Sequence, residues 1–414
     1  MKHTSTNHFK KKKKLFFKIL FIILFFLCIL FVFHFVDNYN QKEIVSTSTA
    51  PTVQEQEETI QEPQTKTITL TAIGDIMCHN TQYRDAYNED TDTYDFSYVF
   101  EDIAPLFQDR DIVIGNLETT FAGENRGYSS YPTFNTPEQL ATDLKELGID
   151  VVSTANNHSL DTGYSGLVST LDTLDEVGVA HMGTYRSEEE QNQVLLKEFN
   201  GLKVAFLSYT YGTNGIPVPS GKDYCINLID TDLISSQITK AKEQNADIII
   251  ANVHWGTEYR TSPTDQQEEL ANFLFENGVD IILGSHPHVL EPMEVKKVTT
   301  TEGEEKIGFV IYSLGNFMSG QTKENTRDSI ILNLTISKKG DEPITIDEIS
   351  YIPIYCYTGN GDFKEYKLLD IRKNLESYEK TGTSLIPASK ISFFQEELNK
   401  ITNLMDSRLE KAAS

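Results

Sequence analysis

"ILGSHPHVLEP", residues 282–292, decides the reading of this chain. An apolar run ends at Gly284-Ser285, and two histidines, His286 and His288, follow with one proline between them. A short apolar run closing on a small-residue turn reads as a strand buried on both faces. In α/β sheets the crevice beyond the carboxyl ends of the strands is where ligands bind. Only six of the nine histidines lie beyond residue 36, so two of them at one such end need a chemical reason.

The same pattern recurs on both sides. "TITLTAIGD" (67–75), "DIVIGNLETT" (111–120), "DVVSTANNH" (150–158), "VAFLSYT" (204–210), "ADIIIANVHWG" (246–256) and "GFVIYSLGNF" (308–317) are further strands ending in turns. Helical stretches precede several of them, at 136–148, 232–245 and 265–278. This alternation predicts an α/β fold with helices covering the sheet faces. The runs at 328–337 and 344–357 follow one another without a helix, which predicts an antiparallel hairpin extending a sheet. The stretch 389–413 has the period of an amphipathic helix.

Polar residues gather at these strand ends: Asp75 and His79; Asn116 and Glu118; Asn156, Asn157, His158 and then Asp161; His254 and Glu258; His286 and His288; Asn316. Taken one at a time, Asp75 and Asn157 read equally well as helix N-caps, and Asn316 as a turn residue. Together, imidazoles and carboxylates on one edge suit a borderline divalent metal such as Mn, Fe or Zn. About seven candidate ligands leave room for two ions acting on one substrate. The loop 121–140 carries Arg126, Tyr128, Tyr131 and Phe134. It reads either as the mouth of the site or as a surface loop with an aromatic plug. Asn116, Arg126, Tyr131 and Asn316 are the expected substrate contacts.

Composition sets the limits. The chain of 414 residues is 39% hydrophobic, which suits a globular body rather than a polytopic membrane protein. Residues 1–36 hold seven lysines and no acid, leaving 29 basic against 61 acidic residues in the remainder, a net of −32. So acidic a body excludes nucleic acid as a partner, because phosphate binding needs a basic face. Cys78, Cys225 and Cys356 have no metal-like spacing and leave the redox compartment open.

Leu15 to Val36 is a run of 22 residues broken only by Lys18 and His34. About 20 apolar residues span a bilayer, and the lysines before the run place that end in the cytoplasm. A cleaved signal has a shorter apolar region followed closely by a small-residue cleavage site, which this stretch lacks. The expected organisation is a cytoplasmic tail (1–14), a transmembrane helix (15–36), a disordered polar linker (37–66), a main domain (67–340) and a C-terminal hairpin and helix packed on it (341–414). The body would then be extracellular, on a single-pass anchor in the cell membrane.

The blocks "GDIMCH" (74–79), "GNLETT" (115–120), "NNHSLD" (156–161), "NVHWG" (252–256) and "GSHPH" (284–288) resemble, in order, the motifs of the calcineurin-like metallophosphoesterase superfamily. With "HWGTEY", "GSHPHVLEP" and "YSLGNF" the wording is closer still to the CapA family of bacterial capsule-synthesis proteins, over roughly residues 68–320. The resemblance implies a sandwich of two mixed β-sheets flanked by helices. It implies that Asp75 and His288 bind one metal, and Asn157, His254 and His286 a second. His158 would be the proton donor to the leaving group, oriented by Asp161.

Two departures bear on the site. Three residues separate Asp75 from His79 where the superfamily has one, so His79 stands as a further candidate ligand. Asn116 occupies the place of the bridging aspartate, and Glu118, on the same side of an extended segment, is expected to bridge instead. The family also implies a role in making or exporting poly-γ-glutamate, an anionic polymer, beside membrane-bound ligase subunits. Two readings follow: a metal-dependent hydrolase, or a non-catalytic polymer-binding or assembly factor.

Overall fold

The computed structural model describes residues 64–358 and 366–412. The basic tail, the run 15–36 and nearly all of the polar linker lie outside the described residues. Among the described residues no helix is long and apolar enough to cross a membrane.

Among the described residues sixteen strands form: β1 Thr65–Ile76, β2 Tyr87–Asn88, β3 Thr93–Tyr94, β4 Ile112–Leu117, β5 Val151–Ser153, β6 Ala180–Met182, β7 Leu195–Phe199, β8 Leu202–Thr210, β9 Ile248–His254, β10 Ile281–Ser285, β11 Leu290–Thr299, β12 Glu305–Leu314, β13 Asn316–Met318, β14 Asp328–Lys339, β15 Thr345–Thr358 and β16 Tyr366–Asp370. One sheet has the order β16-β15-β14-β1-β4-β5-β6, with β13 also paired to β1. The second has the order β11-β12-β10-β9-β8-β7, and β2 with β3 makes a separate ribbon. Both large sheets are mixed. Their centres are parallel (β1, β4, β5, β6 in one; β8, β9, β10, β12 in the other), and antiparallel strands flank them.

The sheets share one core. Ile68, Leu70 and Ala72 of β1 and Ile114 of β4 pack in a cluster with Phe206 of β8, Ile250 of β9 and Leu283 of β10. Successive strand residues face opposite sides, so the alternate positions point outward and need cover. Helix α1 (Gln139–Leu147) covers Val113 and Val152 with Leu140 and Leu144. Helix α2 (Gly163–Val177) adds Leu174 to that layer. Helices α3 (Thr231–Glu243) and α4 (Asp265–Asn277) cover Ile249 and Ile282 with Ile234, Ile238 and Leu274. Helix α5 (Ile371–Thr381) follows β16, and the long α6 (Ile391–Ala412) seats Phe394, Ile401 and Met405 in the core shared by the sheets. Each such side chain contributes about 1.5–3 kcal/mol on burial.

The seven strands read from the sequence all form, and so do the hairpin β14–β15 and the terminal helix. The sequence reading does not pick out β6, β7, β11, β16, α2 or α5. Strand β11 follows the His-Pro-His turn directly and contains Pro292, a breaker by pattern. Its place at the sheet edge tolerates a residue with no amide hydrogen.

Registers align the chemistry. Asp75 of β1 stands opposite both Asn116 of β4 and Asn316 of β13. His254 of β9 stands opposite Ser285 of β10. Gly74 makes the first alignment possible: a Cβ there would lie 2.0 Å from the Gly315 carbonyl oxygen.

Candidate metal centre

The His-Pro-His turn is strained. His286 has φ 99° and His288 φ 58°, both in the left-handed region that non-glycine residues avoid. Such residues cost about 1–3 kcal/mol each and persist where the surroundings over-determine them. Here the Tyr259 amide donates to the Pro287 carbonyl at 2.8 Å, and the His286 amide points at Asp75 Oδ2 at 3.4 Å.

The carboxylate of Glu118 lies at the middle. Its Oε1 is 3.5 Å from His254 Nε2 and 3.8 Å from His288 Nε2. Asp75 Oδ2 is 3.2 Å from His288 Nδ1. Two groups bring their ligand atoms within 4.8 Å of one another: Glu118 with His286 and His288, and Asp75 with Glu118 and His254. Glu118 is common to both. The pairs that the resemblance implies are adjacent as well: Asp75 with His288, and His254 with His286, whose ring centroids are 4.8 Å apart. Asn157 joins the cluster through Oδ1, 2.9 Å from His254 Nε2, while its amide donates to Asn214.

Other expected site residues are held differently. Asn116 donates from Nδ2 to Asp75 Oδ1 at 2.9 Å and to Glu118 Oε2 at 3.2 Å, and accepts from Asn156. Asn316 lies 3.1 Å from His288 Nδ1 through its carbonyl and donates to the Thr326 carbonyl at 2.9 Å. Both asparagines, expected to touch substrate, are buried with their amides engaged by the ligands and their supports. His79 lies outside both groups. It begins the short helix Asn80–Ala86, and its Nδ1 accepts from the Gly320 amide at 3.0 Å. The three intervening residues carry the chain off β1 before the imidazole is reached. Arg126 is spent on the Thr162 carbonyl and the Ser165 hydroxyl, which ties its loop to the start of α2. Tyr131 is 73% exposed.

His158 and Asp161 form the expected pair, with Nδ1 2.7 Å from Oδ2. The same carboxylate oxygen accepts from the Phe134 amide at 2.6 Å, and the Phe134 ring meets the imidazole edge-on. Nδ1–H donating to Asp161 leaves Nε2 as the nitrogen that can exchange a proton.

Four neighbours escape the sequence reading. Ser285 Oγ is 2.9 Å from His254 Nδ1. The Tyr211 ring centroid is 4.5 Å from that of His286, the Tyr259 ring 6.2 Å from that of His288, and Asn214 Nδ2 faces His158 Nε2. Tyr211 and Asn214 follow β8, whose end carries neither histidine nor carboxylate. The strand-end rule, applied without regard to residue type, would have included them.

Burial governs the electrostatics. It raises the Glu118 carboxyl well above its ordinary range, and the nearby charges of Asp75, Glu258 and Asp161 push the same way. Burial and then His286 hold His254 well below the usual imidazole value. Burial and then His288 bring His286 down to about 3. These imidazoles are therefore unprotonated, the form that ligates metal. Glu118 Oε1 and His286 Nδ1 are buried without a hydrogen-bond partner. Buried carboxylates and orphaned nitrogens are costly unless a cation meets them. Oxygen and imidazole donors of this kind fit a divalent metal.

A two-sheet α/β body with a buried cluster of imidazoles and carboxylates suited to divalent metal is the class that fold and site define. The model of the family described as "Bacterial capsule synthesis protein PGA_cap" matches residues 69–321, and the chain belongs to that family. It is 29% identical to the capsule biosynthesis protein CapA of Bacillus anthracis, over 69% of this chain and 69% of that one. It is 30% identical to the PGA biosynthesis protein CapA of Bacillus subtilis (strain 168), over 68% of this chain and 72% of that one. Among solved structures it is similar to the calcineurin-like phosphoesterase YfkN of Bacillus subtilis (14% identity, TM-score 0.43, 80% of this chain and 100% of that one). It is also similar to the NAD nucleotidase of Haemophilus influenzae (12% identity, TM-score 0.43, 82% of this chain and 61% of that one).

Proposed function

We propose that this protein is a membrane-anchored, extracellular hydrolase of capsule or poly-γ-glutamate biosynthesis, acting on a phosphoester or related bond at a centre for two divalent metal ions. The observation that carries the reading is Glu118, the one residue shared by the two donor groups. Asp75, Glu118, His254, His286 and His288, with Asn157, would hold the ions, Mn, Fe or Zn by donor chemistry. Metal so bound supplies Lewis acidity and an activated water.

The remaining residues do the positioning and the proton work. Asn116 fixes the two carboxylates through one amide nitrogen. Asn316 orients His288. Asp161 fixes the His158 tautomer, so that Nε2 delivers a proton to the departing oxygen. The apolar run 15–36 behind a lysine cluster supports the anchor and an outward-facing body. Kinship with capsule-synthesis proteins supports an anionic polymer and membrane-bound ligase subunits as partners.

The test is elemental analysis of the purified full chain beside a His286→Ala, His288→Ala variant. Two transition-metal ions per chain, lost in the variant, are the expected result. A chain that stays metal-free after reconstitution with Mn, Fe or Zn overturns the hydrolase reading and leaves a polymer-binding or assembly factor.

A further inference from the structure

Several lysines of this protein meet carboxylates. Lys306 is 2.5 Å from Asp280, Lys338 2.8 Å from Asp247, Lys373 2.7 Å from Asp102 and Lys400 2.5 Å from Asp328. Others do not: Lys222 sits over the Tyr164 ring, 3.9 Å from its centroid, and Lys240 donates to Asn192. Lys323 belongs with this second group, and its place sets it apart. It is exposed, and among the described residues its ammonium makes neither an ion pair nor a hydrogen bond. It sits instead over the Tyr259 ring, 3.5 Å from the centroid.

That ring neighbours a candidate metal ligand. Its centroid is 6.2 Å from the His288 ring. Tyr259 is itself left-handed at φ 67°, and its amide is bonded to Pro287 between the two histidines. The loop carrying Lys323 is stitched to the same place from the other side. Asn316 Nδ2 donates to Gln321 Oε1 at 3.0 Å and to the Thr326 carbonyl at 2.9 Å, and the Gly320 amide donates to His79. The Thr326 hydroxyl donates to the Lys323 carbonyl at 2.7 Å. Two segments, each bonded to the surroundings of His288, thus place an exposed cation on the Tyr259 ring.

We propose that Lys323, held on the face of Tyr259, binds an oxyanion of the substrate next to the one engaged at the metal centre. The ligand is then a molecule with more than one anionic group, carboxylate or phosphate. A cation resting on an aromatic face keeps its charge and its hydrogen-bond donors free. A further anion approaching so acidic a protein needs a positive group at the point of entry. The inference rests on the metal-centre reading above and adds the substrate class and the residue that selects it.

The test uses the full chain loaded with Mn, at low ionic strength, with bound metal measured on every sample. Titration with a short γ-glutamate oligomer and, separately, with inorganic phosphate and a linear polyphosphate compares wild type with Lys323→Met, Lys323→Arg and a control, Lys380→Met. A charge-assisted contact corresponds to roughly a tenfold change in affinity. Lys323→Met should weaken binding of the multiply charged probe about tenfold or more, with metal content unchanged, and Lys323→Arg should keep most of it. Lys380→Met should bind as wild type. Dependence with the oligomer assigns a carboxylate ligand, and dependence with polyphosphate a phosphate ligand. Equal affinity in wild type and Lys323→Met, or no binding of any probe, overturns the proposal. Full metal content in those samples would leave the centre itself standing, whereas metal-free wild type would remove the reading on which the proposal rests.

Discussion

The side-chain amide of Asn116 donates to the carboxylate of Glu118 across 3.2 Å at the end of one strand. The same nitrogen donates to Asp75 at 2.9 Å. A neutral amide thus holds two buried carboxylates, and the anion stands two residues further on. Replacing Glu118 by Gln keeps the shape and removes the charge. Metal content measured by elemental analysis should fall to one ion or fewer per chain, with Mn affinity at least about tenfold weaker. Asn116→Ala should weaken binding less, because it loosens the carboxylates without removing them. Unchanged content in Glu118→Gln would sink the shared-ligand assignment.

The His158–Asp161 pair lies beside the metal cluster without belonging to it. His158→Asn should therefore retain metal. Under the hydrolase reading its turnover of a nitrophenyl phosphoester should drop about 10²–10⁴-fold, the usual contribution of a positioned proton donor. Asp161→Asn should lose less. Full activity in His158→Asn would remove it from the reaction, and metal loss would make it a ligand.

Glu291 is buried, and its Oε2 accepts from Gln267 Nε2 at 2.6 Å. Burial pushes its carboxyl up to about 7 from an ordinary 4.5, against the lowering effects of Gln267 and Arg260. Between those values the folded state binds more protons than the unfolded one. Stability from this group is therefore present at pH 4.5 and lost as pH rises to about 7, by about 3 kcal/mol as an order of magnitude. Denaturant unfolding at pH 5 and pH 8 should show Glu291→Gln close to wild type at the lower pH and more stable at the higher. The same difference at both pH values would exclude the assignment.

Gly74 faces the Gly315 carbonyl so closely that a Cβ would lie 2.0 Å away. Backbone cannot yield as a side chain can. Gly74→Ala should destabilise the fold by about 2–4 kcal/mol, and should also loosen the alignment of Asp75 with Asn316. A thermal melt within a degree of wild type would contradict this.

Much of the architecture is legible because strand and helix periods are local. "DIVIGNLETT" and "ADIIIANVHWG" are apolar over whole strands because both faces are covered, and that is visible without neighbours. Strand β11 is not legible, since Pro292 reads as a breaker until its edge position is known. Strand β7 is half-buried at the other edge, where the pattern is weak. At the site, the strand-end rule collects Asp75, Glu118, Asn157, His158, His254, His286 and His288 correctly as neighbours. It also collects Asn116 and Asn316, which lie in the cluster as hydrogen-bond partners of Asp75, Glu118 and His288, and His79, which lies outside both donor groups, and it omits Tyr211 and Tyr259.

The sequence by itself determined seven main strands and the residue types at their ends, the acidity of the body and the family. All of these depend on near neighbours or on composition. The expectation that Glu118 bridges came from the sequence, but the tertiary structure alone decided that Asn116 holds Glu118 and Asp75 through one nitrogen, that Asn316 contacts His288, and that Lys323 rests on Tyr259 rather than on a carboxylate. Asp75 and His288 are separated by 213 positions, and they meet because two independent sheets pack face to face with their carboxyl ends on one edge. Contacts of that kind follow from how buried surfaces fit together, and no local period encodes the fit.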